Sequence, residues 1–135
     1  MKKLFYILPV ICLGLLFFAC RKDGTNPSNN LIGKWKFVQA KGGFTGNTVI
    51  NPKGIELYTF NADSTFTKTR NDTIKAQGYF HIGAEKSIFT GTLAANISFN
   101  NKNAVSGLLV SVKNDSLVLT DNHVEPFGYL YVRVK

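Results

Sequence analysis

The chain has 135 residues, 16 lysines and arginines against 8 acidic residues, a formal charge of +8, and only two cysteines. Two cysteines are too few for a disulfide framework, so packing alone must hold any folded part. The lysines are spread along the chain without forming a block, which fits solvated strand faces, with attraction to anionic lipid head groups or polysaccharide as the sharper alternative.

The first element is Met1-Lys2-Lys3 followed by an uncharged run from Leu4 to Phe18. A positive start, a short apolar stretch and a small residue before a cut are the layout of a secretory signal. Leu4–Cys20 spans 17 residues and contains Pro9, whereas a comfortable membrane span needs about 20 apolar residues. Phe17-Phe18-Ala19-Cys20 resembles the lipobox of bacterial lipoproteins, in which a small residue precedes the modified cysteine. That resemblance implies a signal peptide over 1–19, cleavage before Cys20, and diacylglycerol and acyl chains (palmitate among them) on Cys20. Each buried methylene adds about 0.8 kcal/mol of membrane affinity, and several chains on one residue anchor firmly. Cys12 leaves with the signal, and the loss of Lys2 and Lys3 lowers the formal charge from +8 to +6. An exported anchor is expected to have no nucleic-acid partner. Arg21-Lys22 follows Cys20 in place of the aspartate that often retains lipoproteins at the inner membrane. The expected address is the cell envelope at the outer membrane, with the periplasmic or surface-exposed face left open.

Residues 20–30 form the lipidated tether. Its Asp23–Asn30 portion has no apolar residue and is rich in Asn, Gly, Pro and Ser. The folded part is expected over 31–135. Short β-branched and aromatic runs recur there, separated by Asn, Asp and Gly, and almost nothing repeats at helical spacing. The pattern predicts strands over 34–41, 55–61, 65–70, 73–82, 87–92, 95–99, 106–112, 116–120 and 128–134. The reversals at 61–64, 71–72, 100–103 and 113–116 are short, and Asn and Asp accept the left-handed geometry such turns need. Connections of this length join antiparallel neighbours. Several strands are apolar on both faces, as expected of a sheet that closes on itself and buries one face.

Four segments in order resemble the lipocalin-like domains of bacterial lipoproteins: Leu31-Ile32-Gly33-Lys34-Trp35, Tyr58–Phe66, Gly78–Ile82 and Asp115–Leu119. Ser64 stands where that family usually has glycine, and no cysteine pair or terminal helix follows. The resemblance implies an all-β, antiparallel up-and-down barrel of about eight strands, with Gly33 and Trp35 closing its floor. It implies no particular ligand.

Chemistry-bearing residues are sparse. His81 and His123 have no second ligand at metal spacing, so neither a metal nor a cofactor is expected. No nucleophile elbow or phosphate loop occurs, the acids lie mostly in turns, and the strand carboxylate Glu56 has no evident partner. An enzyme is therefore not expected. Tyr129, Tyr131 and Arg133 alternate along the last strand and share one face. Inside a barrel they could hold a carboxylate, as an arginine with a nearby phenol does in small fatty-acid carriers. With Leu130, Val132 and Val134 inward instead, they would be exterior. Phe66, Lys68 and Arg70 share a face and raise the same question at one rim. Ser64, Thr73 and Ser116 each follow an aspartate in a predicted turn, resembling O-glycosylation sites of some of these bacteria. The sequence thus leads to an anchored envelope lipoprotein whose barrel binds a small hydrophobic or amphipathic ligand. The alternative is a structural lipoprotein with a filled barrel that meets an envelope protein partner.

Overall fold

The computed structural model describes residues 30–101 and 107–135; the expected signal, Cys20 and the tether up to residue 29 lie outside the described residues. Nine strands form one antiparallel sheet: β1 (Gly33–Gly42), β2 (Thr48–Ile50), β3 (Glu56–Phe60), β4 (Thr65–Arg70), β5 (Thr73–Lys86), β6 (Leu93–Phe99), β7 (Leu108–Lys113), β8 (Ser116–Asp121) and β9 (Phe127–Arg133). Strands β1 and β3 to β9 follow one another around the sheet, and β9 pairs back with β1 from Trp35↔Arg133 to Gly42↔Phe127. That closure makes an eight-stranded barrel and removes the open edges of the ring.

Local chemistry sets the reversals. Between β3 and β4, Ser64 adopts φ 65° while the Asp63 carboxylate accepts from the Thr65 amide at 2.9 Å. The turn therefore forms with Ser in a glycine-type conformation. Asn71 and Asp72 carry φ 48° and 61° and join Arg70 to Thr73, the left-handed pair a two-residue hairpin demands. Residues 87–92, expected as a strand, are instead the loop between β5 and β6. The Ser87 amide donates to the Thr92 carbonyl, the Gly91 amide donates to the Ser87 carbonyl, and Ser87 Oγ accepts from the amides of Phe89 and Thr90. A serine that gathers its own backbone competes with ladder pairing. Strand β5 accordingly runs to Lys86 and β6 begins at Leu93. The three-residue β2 was not legible as a strand and pairs only with β1.

The inward faces meet in a core of Trp35, Phe37, Tyr58, Phe60, Phe66, Phe80, Ile97, Phe99, Leu117, Leu119 and Tyr131, among others. Its rings interlock, with Phe66 and Phe99 edge to face at 4.6 Å and Tyr58 stacked on Phe60 at 5.3 Å. Edge-to-face and offset arrangements are the favourable ones, and each buried ring removes a large apolar area from water.

One end of the barrel is sealed by the first and last strands. The Arg133 guanidinium lies 4.1 Å from the centre of the Trp35 ring and donates to the carbonyls of Ile32 (2.9 Å) and Asn30 (2.6 Å). The Trp35 Nε1–H donates to the Leu31 carbonyl at 2.7 Å. Gly33 adopts φ 132°, and a β-carbon there would sit 2.6 Å from Arg133 Nη1. Only a glycine leaves the guanidinium room to cover the indole.

Candidate functional site

The other end is not filled. Strand β1 pairs with β3 from Gly33 to Lys36 and with β2 from Ala40 to Gly42, along the same edge. Between them the chain leaves the wall through residues 51–55. A register shift between Phe37 and Gln39 also breaks the two-residue alternation of β1, so that Phe37 and Ala40 are both buried. The result is an open cup of about 270 Å³ lined by Phe37, Ala40, Ile50, Asn51, Lys53, Glu56, Lys68, Arg70, Tyr129 and Tyr131. Below it a narrow crevice of about 30 Å³ runs between Tyr58, Lys68, Leu108, Leu119, Tyr129 and Tyr131. Lys68 and the two tyrosines of β9 line both spaces.

The cup holds three cations, Lys53, Lys68 and Arg70, against one carboxylate, Glu56. Glu56 and Arg70 stand directly opposite each other on β3 and β4, and their side chains pair at 3.0 Å. Lys68 has no ion-pair partner among the described residues; its ammonium lies 5.2 Å from the centre of the Tyr58 ring. Burial lowers the Lys68 pKa, partly offset by the charge of Glu56. Burial pushes the Tyr58 phenol up to about 12, with Glu56 adding to the effect, and holds Tyr131 well above the ordinary phenol range. Tyr129 is raised by burial and by Asp121, whose Oδ2 also accepts from the Phe127 amide at 3.0 Å. The phenols therefore stay neutral at neutral pH and can donate, beside the Lys68 amine and the Glu56 carboxylate of the cup wall.

The sequence-derived candidates divide. Tyr129 and Tyr131 point inward and, with Lys68 and Arg70, line the cup; Leu130, Val132 and Val134 take the outer face, and Val132 and Val134 are exposed. Arg133 is not among the lining residues. It shares their face but lies two residues further along β9, which carries it to the sealed end over Trp35. Phe66 is fully buried in the core. Glu56, Lys53, Ile50, Asn51 and Phe37 were not singled out as lining residues. For Glu56 the signal was available, because pairing Phe60 with Phe66 through the 61–64 turn sets Glu56 opposite Arg70. Nothing local marks the others, because residues 50–53 join the cup only through the β1–β2 pairing.

Ser64 and Thr73 are exposed and Ser116 is half-buried, all in or beside turns. His81 is exposed, and His123 Nε2 lies 3.6 Å from Asp121. Among the described residues no group of three metal-ligating side chains occurs, and no helix is long and apolar enough to cross a membrane. No family model, curated protein or solved structure matches the chain.

Proposed function

We propose that this chain is an outer-membrane-anchored envelope lipoprotein, lipidated at Cys20, whose lipocalin-like barrel binds a small hydrophobic or amphipathic ligand and performs no catalysis. The observation that carries the binding part is the cup: an open cavity of about 270 Å³ that sets Phe37, Ala40 and Ile50 beside Lys53, Glu56, Lys68, Arg70 and two tyrosines. The anchor rests on the run from Lys2 to Cys20, and the barrel's kinship with lipocalins on the Gly33–Trp35 element and the eight-strand meander.

Native mass spectrometry of protein extracted from the cell envelope tests both parts. The expected spectrum shows loss of residues 1–19, acyl mass on Cys20 and a co-purifying small molecule; sugar on Ser64, Thr73 or Ser116 appears as hexose increments. An intact N-terminus, or no palmitate label lost on Cys20→Ser, overturns the anchor.

A second reading, a lipoprotein whose outer surface meets a protein partner, draws on one observation. The Asn122 side chain bridges the Ile88 amide and the Lys86 carbonyl at 3.0 Å each, which brings together two loops carrying exposed Ile88, Phe89 and Val124. A clustered apolar surface of this kind is a common protein contact.

A further inference from the structure

The cup's chemistry narrows the ligand. We infer that the site is selective for a compact organic acid, a single oxyanion head on a flat or branched apolar body, with the head at Lys68 between the phenols of Tyr58 and Tyr131. The inference rests on the proposal that the cup binds a small molecule.

Three features carry it. First, Lys68 is half-buried and has no ion-pair partner within salt-bridge distance among the described residues; its amine lies against the Tyr58 ring. A buried charge is costly until it is paired. Second, neither the Tyr58 nor the Tyr131 hydroxyl donates to a protein acceptor among the described residues. No fully enclosed side-chain oxygen or nitrogen there lacks a partner, so each hydroxyl keeps a small accessible surface. Both side chains line the crevice beside Lys68. These donors share one crevice, the nearby Glu56 carboxylate is already paired with Arg70, and an oxyanion would supply them with an acceptor. Third, the sizes agree. The crevice of about 30 Å³ is the share of one water molecule, room for one oxygen of an oxyanion head whose remainder lies at the floor of the cup. The cup above it, walled by Phe37, Ala40 and Ile50, holds about nine such volumes, or a body of roughly a dozen non-hydrogen atoms.

Glu56 sharpens the selectivity. It neutralises Arg70, which leaves Lys68 and Lys53 as the uncompensated charges. A ligand carrying negative charge fits that balance, whereas a cation meets two like charges. A long acyl chain exceeds the volume and would have to leave through the opening.

The test is calorimetric titration of the full-length chain with 2-naphthoate and with its uncharged analogue 2-naphthamide. Naphthoate is expected to bind at least tenfold more tightly, since a hydrogen bond to a charged group is worth about 1.5–3 kcal/mol. Lys68→Met should erase that preference, bringing acid and amide to similar affinities, and Glu56→Gln should raise naphthoate affinity several-fold. Equal binding of acid and amide by the unaltered protein, or an undiminished preference in Lys68→Met, overturns the selectivity and leaves the cup as a neutral site. Binding of neither compound overturns the ligand-binding proposal itself. The comparison of acid with amide needs no variant, so it stands if Lys68→Met fails to fold.

Discussion

Arg133→Met isolates the seal at the closed end of the barrel. The substitution keeps an apolar side chain of similar length over Trp35 but removes the charge and five donors. Two charge-assisted bonds are lost, to Ile32 O at 2.9 Å and Asn30 O at 2.6 Å. So is a cation–π contact at 4.1 Å. Bonds from a charged donor contribute about 1.5–3 kcal/mol each and the ring contact about 0.5–2. Asn30 is exposed, so water replaces its bond at little loss, and methionine restores part of the packing. The net cost is about 2–4 kcal/mol, which for a domain near 100 residues lowers Tm by roughly 10–20 °C. The ion pair with Asp115 adds little, because it is long at 3.7 Å and Asp115 is exposed. Urea unfolding followed by far-UV circular dichroism measures the loss without relying on Trp35, whose surroundings the mutation changes. Arg133→Lys retains a charge but cannot span two carbonyls and cover an indole together, so it should recover less than half of the loss. Naphthoate affinity should be unchanged, since Arg133 does not line the cup. A loss below about 0.5 kcal/mol, the size of an ordinary surface substitution, would refute the assignment of Arg133 as the seal.

Gly33→Ala should cost about 2–3 kcal/mol, because φ 132° is strained for any L side chain and the new β-carbon meets Arg133 at 2.6 Å; an unchanged urea midpoint would contradict this. Ser64→Gly should stabilise by about 0.5 kcal/mol, relief of a left-handed residue outweighing glycine's extra chain entropy, and a lower midpoint would show that the serine side chain contributes to the turn. On the alkaline side, the folded pKa of Tyr58 is raised to about 12 while the unfolded phenol ionises near 10. The unfolded chain therefore releases this proton first. The corresponding stability is complete below about pH 10 and is lost as pH climbs toward 12. Tyr58→Phe should flatten that decline in a pH series of urea melts, and phenolate absorbance at 295 nm should show Tyr58 titrating only as the barrel opens.

Much of this barrel is written locally. Hairpin turns depend on residues that tolerate positive φ, and Asn71-Asp72 and Asn114 sit where the reversals occur. Alternating apolar residues give strands because side chains of an extended chain point to opposite faces every second residue. The same rule grouped Tyr129 with Tyr131, and Lys68 with Arg70. Where local chemistry competes with a β-rich composition, as in Ser87–Thr92, the apolar pattern misled, because a serine hydroxyl that binds its own backbone is worth more there than a ladder without a partner strand.

Local residue patterns thus dictate the eight strands of the barrel, their order and the pairs of residues that share a face, but neither β2 nor the loop at 87–92. Which face turned inward was decided by closure of β9 on β1, because alternation is symmetric and only the enclosed side loses its water. Closure also separated Arg133 from Tyr129 and Tyr131. A strand rises about 3.3 Å per residue, so the four residues from Tyr129 to Arg133 cover roughly 13 Å, enough to carry Arg133 away from the cup to the sealed end. The cup itself arises from a bulge in β1 and from one strand edge shared between β2 and β3. These are pairings between segments far apart in the chain, and no short stretch of residues encodes them alone.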